Sequence, residues 1–228
     1  MPLTDDVPVK RKVNRQEKAS ARRREQILDA AVAAFTHNGF NGTSIRDIAT
    51  RAGMSHTGVL HHFPDKSALL EAVLDRRLAR GLGSAGAELD PHDGITLLNG
   101  LIDLVKHDMS DPADLRMYRI LSSEALSPTH PAYGYFRRWY AQVRAWATTG
   151  LEDLERRGLY AQPGLPLADA AAQIAGMRDG LDPQWLLDPD SIDLVAVVRS
   201  QLQLYTTADL SAPPKLRRAT TSNPIRGR

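Results

Sequence analysis

The chain contains no cysteine, which excludes disulfides, thiol chemistry and any thiolate metal site. No apolar run approaches membrane-spanning length. The N-terminus is polar and then basic, without the apolar core of a secretory leader, so the cytoplasm is the expected compartment. No segment alternates apolar and polar residues at period two over a useful length, and an all-α chain of about nine helices is therefore expected. Frames for hydrolysis are missing too. Ser122, Ser123, Glu124, His107, Asp108 and His130 stand in no GxSxG or HExxH pattern and read as helix-end and loop residues, so no catalytic residue and no cofactor are expected. His56, His61 and His62, spaced five and one apart, do not put two imidazoles on one helix face, which argues against a metal.

What is present is an ordinary globular composition, 42% hydrophobic and 25% charged over 228 residues, enough to bury a core in one or two domains. Its charge is uneven. Residues 1–24 carry eight basic side chains (Lys10, Arg11, Lys12, Arg15, Lys18, Arg22, Arg23, Arg24) against three acidic ones, a net of +5. Residues 206–228 carry five against one, a net of +4, and residues 65–205 carry fourteen against twenty, a net of −6. An acidic body with a basic arm ahead of a helical motif is an electrostatic footprint of nucleic-acid binding, and such an arm can enter a minor groove. The basic C-terminal tail, rich in Ser and Pro, reads as disordered and solvating.

The most specific segment is Thr43–Phe63, TSIRDIATRAGMSHTGVLHHF. Ser44 and Asp47 form a capping-box pattern, and Ile45, Ile48, Ala49 and Ala52 recur at helical spacing up to the stop at Gly53. Ser55 can cap a second helix in which Val59 and Phe63 face inward, leaving His56, Thr57, Gly58, His61 and His62 pointing elsewhere. This is a helix-turn-helix pattern whose second helix fits a major groove. An ordinary helical hairpin has the same stripe, but here an amphipathic helix over Arg22–Asn38 precedes it. A helix capped by Asp65 follows, with Leu69, Leu70, Val73, Leu74 and Leu78 in register.

The run from Ile27 to Leu74 resembles the DNA-binding domain of the tetracycline-repressor (TetR) family: an AAxxxFxxxGFxxTS entry, IRDIATRAGMS through the turn, and HHFPDKSALLEAV leading out. The resemblance implies DNA contacts at Ser44 and Arg46 on the second helix and at His56, Thr57 and Gly58 at the start of the recognition helix. Beside the groove it implies His61, His62 and Lys66. Ser55, Arg22 and Arg23 join the candidate DNA-binding set from the cap and the basic arm. Leu60 departs from the family, which usually has a tyrosine there touching the backbone; a phosphate contact is then missing or replaced by an apolar one such as a thymine methyl.

Beyond the fourth helix, Gly81, Gly83 and Gly86 spell GxGxxG, but no strand precedes them, and a helix C-cap with a flexible connection is the expected reading. Further helices are expected from Pro91 or Gly94 to Lys106, from the Asp111 cap to Leu126, over Ala132–Arg157, over Leu167–Leu187 with a kink at Pro183, and from near Pro189 to Tyr205. The domain expectation is a basic disordered arm (1–20), a helix-turn-helix domain (21–66), a ligand-binding and dimerisation bundle (67–205) and a disordered tail (206–228). Small residues at Ala171, Ala172, Ala175, Gly176 and Gly180, with the apolar last helix, point to a homodimer through the last two long helices, although internal core explains them too. Met109, Met117, Tyr118, Tyr135, Trp139, Trp146 and Met177 are candidate effector-binding residues, with burial as plain core the alternative. Arg178 and Asp179 could anchor an effector or form a dimer-interface salt bridge. The sequence thus reads as a homodimeric transcriptional regulator, a repressor released from a near-palindromic double-stranded operator by a small-molecule effector. Its rivals are a sequence-indifferent architectural DNA-binding protein and a small helical enzyme.

Overall fold

Short polar caps cut this chain into helices, and the apolar stripes between the caps pack them into two cores. A computed structural model of the protein describes residues 8–84 and 89–211, with side chains over 16–83 and 89–211. The described residues form α1 (Pro8–Asn38), α2 (Ile45–Arg51), α3 (His56–His62), α4 (Lys66–Ser84), α5 (Gly94–Ser110), α6 (Pro112–Glu124), α7 (Tyr133–Arg156), α8 (Leu167–Leu187) and α9 (Leu194–Gln203). Asp93, Asp111 and Asp193 cap α5, α6 and α9 by accepting amide hydrogens of the first turn. α1 and α7 run into Gly39 (φ +65°) and Gly158 (φ +67°), whose left-handed backbone stops each helix.

The first core joins Ile27, Leu28 and Phe35 of α1 to Ile48, Val59, Leu69 and Leu70 of α2–α4. Met117, Tyr118 and Leu121 of α6 and Phe136 of α7 belong to the same cluster, so the C-terminal bundle is seated directly on α1. Each fully buried Leu or Ile contributes about 1.5–3 kcal/mol, which makes this shared core the main bond between the two halves. The second core gathers α5, α7, α8 and α9 around Leu98, Ile102, Leu151, Ile174, Val198 and Leu202. α5 and α7 cross at Gly94 and Gly150, where a Cβ on Gly94 would lie 2.2 Å from the Gly150 carbonyl oxygen. Only glycine permits that approach.

Four segments differ from expectation. Residues 8–20, expected as a disordered arm, are the start of α1. Lys, Arg, Gln, Glu and Ala favour helix, the stretch from Val9 to Gln26 lacks Gly and Pro, and Pro8 occupies a first-turn position that tolerates it; the missing apolar stripe is what concealed the helix. The glycines expected as a C-cap at Gly81 lie within α4, which runs on to Ser84; Gly81 faces Leu104 of α5, while Gly86 lies outside the described residues. α9 begins at Leu194 instead of near Pro189, because Asp193 is the residue that caps it. The tail expected from 206 is folded back as far as Ser211. Thr206 pairs with Tyr160, Leu210 is buried, and the Gln203 amide donates to the Thr206 and Ala208 carbonyls at 2.8 Å each. The remainder of that tail, and residues 1–7 of the arm, lie outside the described residues.

Candidate nucleic-acid interface

Ser44 and Asp47 close a reciprocal capping box on α2: the Ser44 hydroxyl accepts the Asp47 amide at 3.2 Å and the Asp47 carboxylate accepts the Ser44 amide at 2.9 Å. The Ser44 hydroxyl also donates to the Asp47 carboxylate at 2.6 Å, and this bond, then the one from the Ser44 amide, holds the Asp47 carboxyl below the usual carboxylate range. Ser55 caps α3 from one side only, accepting the Gly58 amide at 3.0 Å. A side chain on Gly58 would crowd the Ser55 hydroxyl at 3.2 Å, so the start of α3 stays small. Ile48 and Val59 bury completely beneath, which fixes α2 and α3 to one another. The opposite surface carries Ser44, Arg46, Ser55, His56, Thr57 and His61, all exposed, with Gly58, Leu60 and His62 half-buried beside them.

Arg23 of α1 meets this surface in an open groove whose other walls include Ser55, Thr57, Gly58, His61 and His62. The His61 and His62 rings stand edge-to-face with centroids 5.6 Å apart, and Arg24 lies over the Phe63 ring at 5.0 Å. Burial, then the neighbouring His61, Arg23 and Arg24, hold the His62 imidazole below its ordinary pKa. Of the candidate DNA-binding residues the groove brings together Arg23, Ser55, Thr57, Gly58, His61 and His62; Ser44, Arg46, His56 and Leu60 belong to α2, α3 and their caps outside its lining, Arg22 is exposed on α1 outside it, and Lys66 is apart. Lys66 turns inward: its ammonium donates to the Phe40 and Thr43 carbonyls at 2.7 Å each and sits 4.1 Å from the Phe40 ring centre. Its role here is to staple the α1–α2 turn to α4 rather than to reach a phosphate.

Sequence reasoning missed Glu124. Its carboxylate accepts the Phe40 amide at 2.8 Å and lies 3.8 Å from the buried His130, tying the α6–α7 corner to the α1–α2 turn. No local pattern marks a contact spanning 84 residues.

The effector candidates separate into four environments. Trp139 and Trp146, edge-to-face at 6.1 Å, line a small apolar cavity of about 40 Å³, partly open to solvent, together with Leu97, Leu101, Leu104 and Ile174. The leucine spacing along α5 was the signal that could have found it. Tyr135 donates to the Leu74 carbonyl at 3.3 Å and borders a surface groove with Asp75 and Arg138, whereas Met109 and Met177 are half-buried against the second core. Met117 and Tyr118 are corrected to core residues: Met117 is fully buried, and Tyr118 is buried with the Arg77 and Arg119 guanidiniums 4.7 and 5.0 Å from its ring centre.

Arg178 and Asp179 are paired within the protomer. Arg178 binds Asp108 at 2.7 Å and Asp182 at 2.9 Å, and Asp179 pairs with Arg119 and accepts the Tyr140 hydroxyl at 2.8 Å. Arg77 of α4 takes the other oxygen of Asp108 at 2.7 Å and pairs with Asp114, so one ionic network runs through α4, α5, α6, α7 and α8. Burial would raise the Asp108 carboxyl, but Arg178 and Arg77 outweigh it and hold it below the usual range.

A family model described as "Bacterial regulatory proteins, tetR family" matches residues 27–73, which spans α2, α3 and the first eight residues of α4 with the last twelve of α1. Two proteins of Pseudomonas putida, the probable HTH-type transcriptional regulator ArpR and the HTH-type transcriptional regulator TtgR, are each 31% identical over 195 residues, covering 82% of this chain and 90% of theirs. Among solved structures, SmeT in complex with triclosan superposes with a TM-score of 0.66 at 21% identity, covering 90% of this chain and 99% of that one. SmeT is the repressor of the Stenotrophomonas maltophilia multidrug efflux pump SmeDEF.

Proposed function

The chain belongs to the tetR family of bacterial regulatory proteins, DNA-binding transcriptional regulators, and on that premise we propose that it is a homodimeric repressor whose α3 reads a near-palindromic operator and whose helical bundle binds an apolar small-molecule effector. The observation that carries this reading is the exposed edge of α3. His56 and Thr57 are exposed on a helix whose apolar side is locked by Val59, and Arg46 is exposed on α2. Side chains of that kind, presented on a capped and rigid helix, match base-edge readout in a major groove. Arg22 and Arg23 supply phosphate contacts from α1.

Dimerisation is supported by the open face of α8, where nothing lies within 4 Å of a Cβ built on Gly176 or Gly180, and by Leu187 and Leu204, 87% and 54% exposed at the ends of α8 and α9. Two-fold pairing doubles the bases read and ties affinity to one spacing of the recognition helices. The small cavity beside Trp139 and Trp146 marks the effector site in this reading, widening as α5 and α7 part to admit a mainly apolar ligand matched to its lining. Arg77 connects that region to the DNA-binding half, because α4 belongs to the first core while its guanidinium is bound to Asp108 and Asp114. A ligand that moves α5 or α7 then shifts α4 and the recognition helix with it. The same reading places the protein in the cytoplasm with its operator.

Selection from random duplexes, repeated with candidate apolar ligands, tests the proposal. A two-fold-symmetric motif is expected, with release by a ligand that a Trp139→Ala protein no longer answers. Recovery of no enriched motif would sink it.

A further inference from the structure

Two histidines at the end of the recognition helix face two arginines, and the described residues lining their groove bring no counter-charge. Among the described residues lining the groove, which are Arg23, Gln26, Ala52, Gly53, Met54, Ser55, Thr57, Gly58, His61 and His62, none is a carboxylate. The charged or titratable groups around His62 are His61 beside it and Arg23 and Arg24 from α1; the α2–α3 turn on the same groove brings Gly53, Met54 and Ser55, which carry no charge. With imidazole centroids 5.6 Å apart, a second positive charge next to the first costs Coulomb energy. The arginines add to it.

We propose that His61 and His62 form a proton-loaded phosphate clamp: the duplex is held with an imidazolium at this edge of α3, so operator binding takes up protons and strengthens as the pH falls. The proposal rests on the DNA-binding reading above and adds proton linkage to it. The physical chain is short. A phosphate oxygen brought into the groove supplies the negative charge that the free protein lacks there. The proton comes from buffer, moves to an imidazole nitrogen, and converts a neutral donor into a charge-assisted one. Arg23 and Arg24, which oppose protonation in the free state, are themselves neutralised by the same backbone. Thermodynamic linkage then requires affinity to depend on pH wherever the bound and free proton counts differ.

The test uses the full-length protein and the duplex recovered by selection. Operator affinity is measured by fluorescence anisotropy at pH 6.5, 7.0, 7.5 and 8.0 at constant ionic strength. Titration calorimetry at pH 7.0 in phosphate and in imidazole buffer reads proton uptake directly. Affinity is expected to rise about tenfold per pH unit for each proton taken up, with the calorimetric enthalpies differing between buffers in the sense of uptake. H61Q/H62Q binds with a flat profile and no buffer dependence, while H37Q, altered at an exposed histidine near the far end of α1, keeps the wild-type slope. A pH-independent wild-type affinity overturns the clamp and leaves the regulator reading standing. A slope retained in full by the double variant also overturns it. Failure to bind any selected duplex at any pH overturns both.

Discussion

Arg77 on α4 and Arg178 on α8 hold opposite oxygens of the single Asp108 carboxylate, each at 2.7 Å. Two cations from distant parts of the chain are thus balanced by an anion that is itself nearly buried, with 9% of its side chain exposed. Removing the anion leaves Arg77 with Asp114 and Arg178 with Asp182 but breaks the bridge between the two pairs. Asp108→Ala is expected to lower stability by about 1–3 kcal/mol, the usual cost of losing a hydrogen-bonded charged partner while each cation keeps another. Urea unfolding followed by circular dichroism measures it. A loss below about 1 kcal/mol, typical of an exposed ion pair, would show that the network is solvated and carries no strain between α4 and the bundle.

Gly39 is constrained twice. Its φ of +65° disfavours any L side chain, and a Cβ there would meet the Glu124 carboxylate at 2.2 Å, the group that accepts the Phe40 amide. Gly39→Ala therefore combines backbone strain of about 1–2 kcal/mol with loss of a charge-assisted hydrogen bond worth about 1.5–3 kcal/mol. The expected result is a stability loss larger than that of Glu124→Gln alone, measured by denaturant titration of both variants. If the two losses were equal, strain at Gly39 would contribute nothing.

The helix-turn-helix was legible because its determinants are local: Ser44, Asp47, Gly53 and Ser55 signal caps and a turn within a dozen residues. Non-local determinants were hidden. Lys66 has the sequence position of a groove contact, yet its ammonium is captured by carbonyls more than twenty residues away. Glu124 looked like a helix-end residue, and only the packing of α6 on α1 gives it a partner. Gly81 reads as a terminator, yet α4 continues through it, beside Leu104 of α5. In the effector region, Met117 and Trp139 have similar sequence signatures, and which one fills the core and which one borders a cavity depends on how α6 and α7 pack.

Stability should also respond to pH through His130. Burial, reinforced by Lys66 and opposed by Glu124, lowers its pKa from 6.5, and its Nδ1 accepts the Ala132 amide at 3.2 Å. A base whose folded pKa lies below its unfolded value contributes stability that is complete above the unfolded pKa and is lost as the pH falls through the window below about 6.5. Unfolding free energies at pH 7.5 and 5.5 are expected to differ in the wild type and to differ less in His130→Phe. An equal difference in both proteins would assign the pH dependence to other groups.

The central claim, that α3 of each protomer reads bases in a two-fold operator, is tested most directly by the base preference of Thr57→Ala. Thr57 is exposed at the second position of α3 and takes no part in its cap. Selection from random duplexes with the wild type and this variant should return motifs that differ at one position in each half-site, placed symmetrically, with the half-site spacing unchanged. A typical lost base contact corresponds to about 1–3 kcal/mol of discrimination at that position. An identical motif from both proteins, or a uniform loss of affinity across all sequences, would contradict the account.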